Sequence, residues 1–237
     1  MSAKLFRTTY SGRGTLIDKM TSRDFYSTLP LFFVGLAAVT SLVSFRDNYP
    51  DGLKKLSLFW VFNFCVDLCG HITKFYGLKN HWLYNIYFWL MYLVLAHLYD
   101  GQVKHKYVHL AIRVFYIVLP LLVLAESLVS GIDKLQTMML VAGSIFMIFL
   151  AAAYFRQLYL SEDNESVARD PWFWFSFGFI LYFGCTVPFL GMLNYLWGHY
   201  KEFTNFYYSY FCNSFAILLN LLIITGFLCR KNFQKSR

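Results

Sequence analysis

The sequence predicts an all-α polytopic membrane protein, a bundle of seven transmembrane helices, and three observations carry that reading. Of 237 residues, 58% are hydrophobic and 14% are charged, against roughly 45–50% and 25% in soluble domains. The apolar residues fall in blocks of about 20, the length at which a helix crosses the hydrocarbon core. The blocks also do not alternate: stretches such as 121–124 and 145–153 are continuously apolar, unlike the alternating segments of a membrane β-barrel.

Taken in order, the blocks predict helices over 25–44, 56–76, 82–100, 109–130, 136–158, 172–196 and 206–229. The breaks carry turn chemistry: Asn48, Pro50, Asp51 and Gly52; Gly77 to Asn80; Asp100 and Gly101; Gly131 and Asp133; and the acidic run from Ser161 to Asp170. Connections this short make consecutive helices antiparallel. Pro171 suits the first turn of the sixth helix, with Asp170 as its cap. Pro30, Pro120 and Pro188 lie inside blocks, where neighbouring helices can satisfy the freed carbonyls, and predict kinks. The organisation is a polar N-terminal tail (1–24), a seven-helix domain (25–230) and a basic C-terminal tail (231–237).

The tail before the first block carries Lys4, Arg7, Arg13, Lys19 and Arg23, so that block reads as a first span rather than a cleavable signal. Met20 as the true start is a hypothesis prompted by the abrupt change at Phe25, and N-terminal sequencing of the native protein tests it. The net charge is +8. Its Lys and Arg lie between blocks and in the tails, not clustered on one face, so the expected partner is the lipid bilayer and not nucleic acid.

With the N-terminus outside, the inner side holds Arg46, Lys54, Lys55, Lys104, Lys106, Arg156, Arg169, Arg230, Lys231, Lys235 and Arg237. The outer loops hold Lys74, Lys79, Lys134 and Lys201. That imbalance predicts a multi-pass inner-membrane protein with a cytoplasmic C-terminus; the cations of the leader argue the other way unless Met20 is the start. Aromatic residues at block ends, among them Trp82, Tyr84, Trp172, Trp197, Tyr207 and Tyr208, suit the interfacial belts. Cys65, Cys69, Cys185, Cys212 and Cys229 all fall in or beside apolar blocks and read as packing residues. No cofactor is expected.

The second span places Asn63, Asp67 and His71 at four-residue intervals on one helical face. A carboxylate near mid-membrane costs about 2.5–3.5 kcal/mol on insertion scales, so Asp67 is expected to face the bundle interior with a partner, His71 being the nearest candidate. A proton relay, a ligand pocket, half of a metal site and a purely structural pair all remain open for this face. Polar residues of the outer half that could share a pocket with it are Tyr84 and Asn85, Glu126, Asn194, and Ser209 and Asn213. Ser209, Asn213, Ala216 and Asn220 also form a small, polar stripe suited to close helix packing. His97 and Arg113 are expected to snorkel toward headgroups.

Several chemistries lack their residues. Retinal attachment needs a lysine in the last span, and 206–229 has none. The paired histidines that seven-span hydrolases of the ceramidase and progestin-receptor type carry on that span are missing too. No Gly-rich phosphate loop, His-Glu-x-x-His helix or Gly-x-Ser-x-Gly elbow is present. Asn164, Glu165 and Ser166 match the glycosylation pattern, but in a loop expected to be internal. No catalytic residue is assigned.

Three stretches carry a resemblance: Asn63 to His71; Asn80, His81, Trp82, Leu83, Tyr84 and Asn85; and Asp170, Pro171, Trp172, Phe173, Trp174, Phe175, Ser176, Phe177 and Gly178. In these the chain resembles a group of uncharacterised seven-span membrane proteins of Bacteroidota, over about residues 25–230. That group is similar to the membrane sensor regions that accompany histidine kinases, which implies a sensory role.

The leading expectation is a sensory, signalling or ligand-binding module without catalytic activity of its own, working with a cytoplasmic signalling protein such as a histidine kinase. The alternatives are a proton-coupled transporter or channel using Asp67 and His71, and an intramembrane metal-dependent hydrolase.

Overall fold

The computed structural model describes residues 22–44, 50–78, 80–131, 134–161 and 167–229. The expectations placed on residues 1–21 and 230–237, on Arg46, Asn48, Lys79 and Asp133, and on Glu162 to Ser166 lie outside those residues; Ser22 to Asp24, expected in the polar tail, form the first turn of the first helix. The described chain is a bundle of seven helices: α1 (Ser22–Val43), α2 (Asp51–Phe75), α3 (His81–Asp100), α4 (Lys106–Ser130), α5 (Thr137–Tyr159), α6 (Pro171–His199) and α7 (Lys201–Cys229). Among the described residues there is no strand.

Local chemistry sets the ends. Asp170 caps α6 by accepting the Trp172 amide at 3.0 Å, and Pro171 follows it in the first turn. Gly77 and Gly131, just past α2 and α4, have φ of 71° and 74°, the backbone region that glycine enters without a Cβ penalty. The helices run through Pro30, Pro120 and Pro188. α7 holds one irregularity that periodicity does not announce, a π-helical turn at Tyr208–Cys212.

α6 packs between α5 and α7, and α1 between α7 and α2. α3 runs through the middle, touching α2, α4 and α5 and reaching α6 through a 2.8 Å hydrogen bond between the hydroxyls of Tyr99 and Ser176. Tyr92 of α3 bonds Ser144 of α5 at 2.8 Å and donates to the Leu140 carbonyl at 3.1 Å. Tyr92, Leu95, Tyr99, Phe175 and Phe179 form the dry centre. Each buried phenol has a partner, which a polar group away from water requires.

Outward faces are apolar. On α4, Leu110, Val114, Ile117, Leu121, Leu124 and Leu128 are exposed at spacings of three and four, a continuous oily stripe of the kind that needs lipid. Five helices, α2, α4, α5, α6 and α7, are long and apolar enough to cross a membrane. The apolar part of α1, Thr28–Val43, is shorter. α3 falls short on composition, because Asn85, His97 and its tyrosines dilute its 20 residues.

Alternation of direction creates two unlike ends. One gathers the starts of α2, α4 and α6, tied by Lys55 to His97 (3.2 Å), by His109 to Asp100 (2.6 Å) and by the Lys104 amide to Gln157 (2.7 Å). The other gathers the starts of α1, α3, α5 and α7.

Candidate functional site

α2 presents Asn63, Asp67, Gly70 and His71 along one face, toward α3 and the bundle interior. Asn63 is buried and accepts the Tyr87 hydroxyl at 2.5 Å, joining α2 to α3. Asp67 lies eight residues from the end of α2, or about 12 Å at the helical rise. Among the described residues no group donates a hydrogen bond to its carboxylate. The hydroxyls of Tyr84 and Tyr87 on α3, Tyr182 on α6 and Tyr208 on α7 are within its electrostatic reach.

His71 does not bond the Asp67 carboxylate through Nδ1. That nitrogen lies 3.0 Å from the Asp67 backbone carbonyl; a carbonyl only accepts, so Nδ1 donates the proton of this bond. The imidazole nevertheless stands within electrostatic reach of the carboxylate.

Gly70 shapes the same face. A Cβ at this position would overlap the Tyr84 hydroxyl, so the absence of a side chain lets that phenol sit against α2. Asn80 locks the corner by donating to the Gly70 carbonyl at 3.2 Å. Across the site Tyr208 is 48% exposed although α7 packs into the bundle. It opens the π-helical turn, where Ser209 and Cys212 are buried. Single π turns recur at functional sites because they re-aim side chains without ending a helix.

The remaining candidates gather elsewhere. Asn85 grips the α4–α5 connection, donating to the Lys134 carbonyl at 2.9 Å and accepting the Gln136 amide at 3.0 Å. Glu126 is buried and caps α5, its two oxygens each accepting one amide, from Met138 and Met139, at 3.1 Å. Asn194 donates to the Leu135 carbonyl at 3.0 Å. These three hold one connection in place from α3, α4 and α6. Asn213 ties α7 to α1 through the Tyr26 carbonyl at 3.1 Å.

Asn63, Asp67, His71 and Tyr84 thus form one group, with Ser209 in the neighbouring π turn, while Asn85, Glu126 and Asn194 hold the α4–α5 connection and Asn213 joins α7 to α1. Sequence reasoning missed Tyr87 and Tyr182, and assigned Tyr208 to an interfacial belt. The usable signal was Gly70, a residue without a side chain on the same helical face as Asp67. Among the described residues no three His, Cys, Asp or Glu side chains gather closely enough to share a metal ion, and the five cysteines are free.

Fold and site together define an α-helical bundle of membrane type with a polar group at its interior. No known protein family matches the chain, and neither a curated protein nor a solved structure is similar to it.

Proposed function

We propose that the chain is a seven-span membrane receptor module that takes a small amphiphile between α2, α3, α6 and α7. The observation that carries this is the Asp67 carboxylate, which has no hydrogen-bond donor among the described residues and is within electrostatic reach of phenols on three other helices. A lone carboxylate at membrane depth is costly and by default marks a function. The ligand that suits it has a cationic or hydrogen-bond-donating head, which Asp67 would pair, and an apolar body, which aromatic walls would hold. The basic end faces the cytoplasm and the N-terminus lies outside. Binding would bias the π turn of α7, and the change would pass along α7 to the basic end and be read there by a cytoplasmic signalling protein such as a histidine kinase, so any enzymatic output belongs to another chain.

A second reading, a proton-coupled transporter or channel, draws support from Asp67 and His71 standing one turn apart on α2. One experiment separates the two. The purified protein and Asp67→Asn are reconstituted in liposomes and challenged with an acid pulse, while cationic amphiphiles are screened by thermal shift. The receptor reading expects a saturable shift that Asp67→Asn loses and no proton flux. Flux in the unaltered protein that Asp67→Asn abolishes would replace it by the transporter reading.

A further inference from the structure

Away from the Asp67 face, at the basic end, α4 and α5 part to leave a cleft of about 690 Å³, within the roughly 300–1,000 Å³ range of ligand pockets. Val108 of α4 and Phe149, Ala152 and Ala153 of α5 form its apolar floor. The alanines create the hollow, since larger side chains there would fill it. Lys104 and Arg156 form its rim with His105, and among the described residues no carboxylate lines it. Neither Lys104 nor Arg156 is ion-paired among the described residues, whereas the neighbouring Lys106 lies over the Tyr107 ring. The rim is also built: Gln157 accepts the Lys104 amide at 2.7 Å and donates to the Gln102 carbonyl at 3.0 Å, fixing the connection that carries Lys104 against α5.

An oily floor topped by unpaired cations, on the outer surface of two helices with apolar outward faces, matches one molecule that a bilayer supplies in quantity. We propose that this cleft binds an anionic phospholipid, its phosphate between Lys104 and Arg156 and one acyl chain against Val108, Phe149, Ala152 and Ala153. Guanidinium and ammonium groups hold phosphate oxygens by charge-assisted hydrogen bonds, and basic pockets between membrane helices are suited to anionic headgroups.

The test is native mass spectrometry of the full chain in detergent, with phosphatidylglycerol and phosphatidylcholine of identical acyl chains. The unaltered protein should retain phosphatidylglycerol in preference. The pair Lys104→Gln and Arg156→Gln should lower that preference roughly 30-fold, as two interfacial cations acting together allow. Ala153→Trp, which fills the floor, should reduce retention of both lipids. Thermal midpoints in lipid-free detergent show whether each variant is folded, and Arg156→Gln alone, at an exposed position, supplies a milder version expected to give a partial loss. Equal retention of the two lipids, a preference that survives removal of both cations, or displacement of the lipid by millimolar glycerol phosphate would each overturn the proposal.

Discussion

The hydroxyl of Tyr84 occupies the space that any side chain at position 70 would need, so α2 and α3 approach at this corner only because Gly70 has no Cβ. Gly70→Ala is therefore expected to lower stability by about 1–3 kcal/mol, the usual penalty of overpacking. Tyr84→Phe removes the overlapping oxygen and should recover part of that loss. A double-mutant cycle on thermal midpoints in detergent measures the coupling, and strict additivity would show that the two residues do not share the space.

Asp67→Asn removes a charge from the bundle interior without breaking any hydrogen bond made within the described residues. The unliganded variant should melt at or above the midpoint of the unaltered protein while losing the response to amphiphiles, since interior charges trade stability for function. A lower midpoint would mean that the carboxylate holds the helices together.

Glu126 offers the opposite case, a carboxylate with two backbone donors at the start of α5. Glu126→Ala should cost about 1–2 kcal/mol through two orphaned amides, and Glu126→Gln distinctly less. Hydrogen exchange at Met138 and Met139 localises the effect, and unchanged protection in the alanine variant would contradict it.

Asp170 sits just outside α6, and burial raises its pKa above the ordinary carboxylate value, against hydrogen bonds from the Tyr154 hydroxyl and the Trp172 amide that favour the charged form. The folded chain therefore holds this proton more tightly than the unfolded chain does. The stability it contributes is complete below the ordinary carboxylate pKa and declines as pH rises through the elevated one. Melting from about pH 4 upward should show this decline in the unaltered protein and not in Asp170→Asn, which keeps the cap. Asp170→Ala, which loses it, should be weaker by about 1 kcal/mol.

Much of the helical framework was legible because each helix is announced by an apolar block and each end by local chemistry. Asp170 and Pro171 start α6, and Gly77 and Gly131 close α2 and α4, as turn residues predict. The Asn63–Asp67–His71 face followed from spacing along α2 alone. The phenols in its electrostatic reach did not, because α7 carries tyrosines on several sides and spacing along α6 or α7 does not say which of them approach Asp67. The partners of Asn85, Glu126 and Asn194 were illegible for a related reason: their polar atoms meet backbone at the α4–α5 connection, and a backbone partner leaves no mark in composition.

By itself the sequence determined that this chain is helical, built of apolar blocks, and carries Asp67 on a polar face of its second block. Those properties depend on block length and on the four-residue period of a single helix, both local. Only the tertiary structure decided which phenols come within electrostatic reach of Asp67, where α7 loosens into a π turn, and that Ala152 and Ala153 hollow a cleft beneath Lys104 and Arg156. Such features depend on the rotation of one helix against another, set by the packing of many side chains at once.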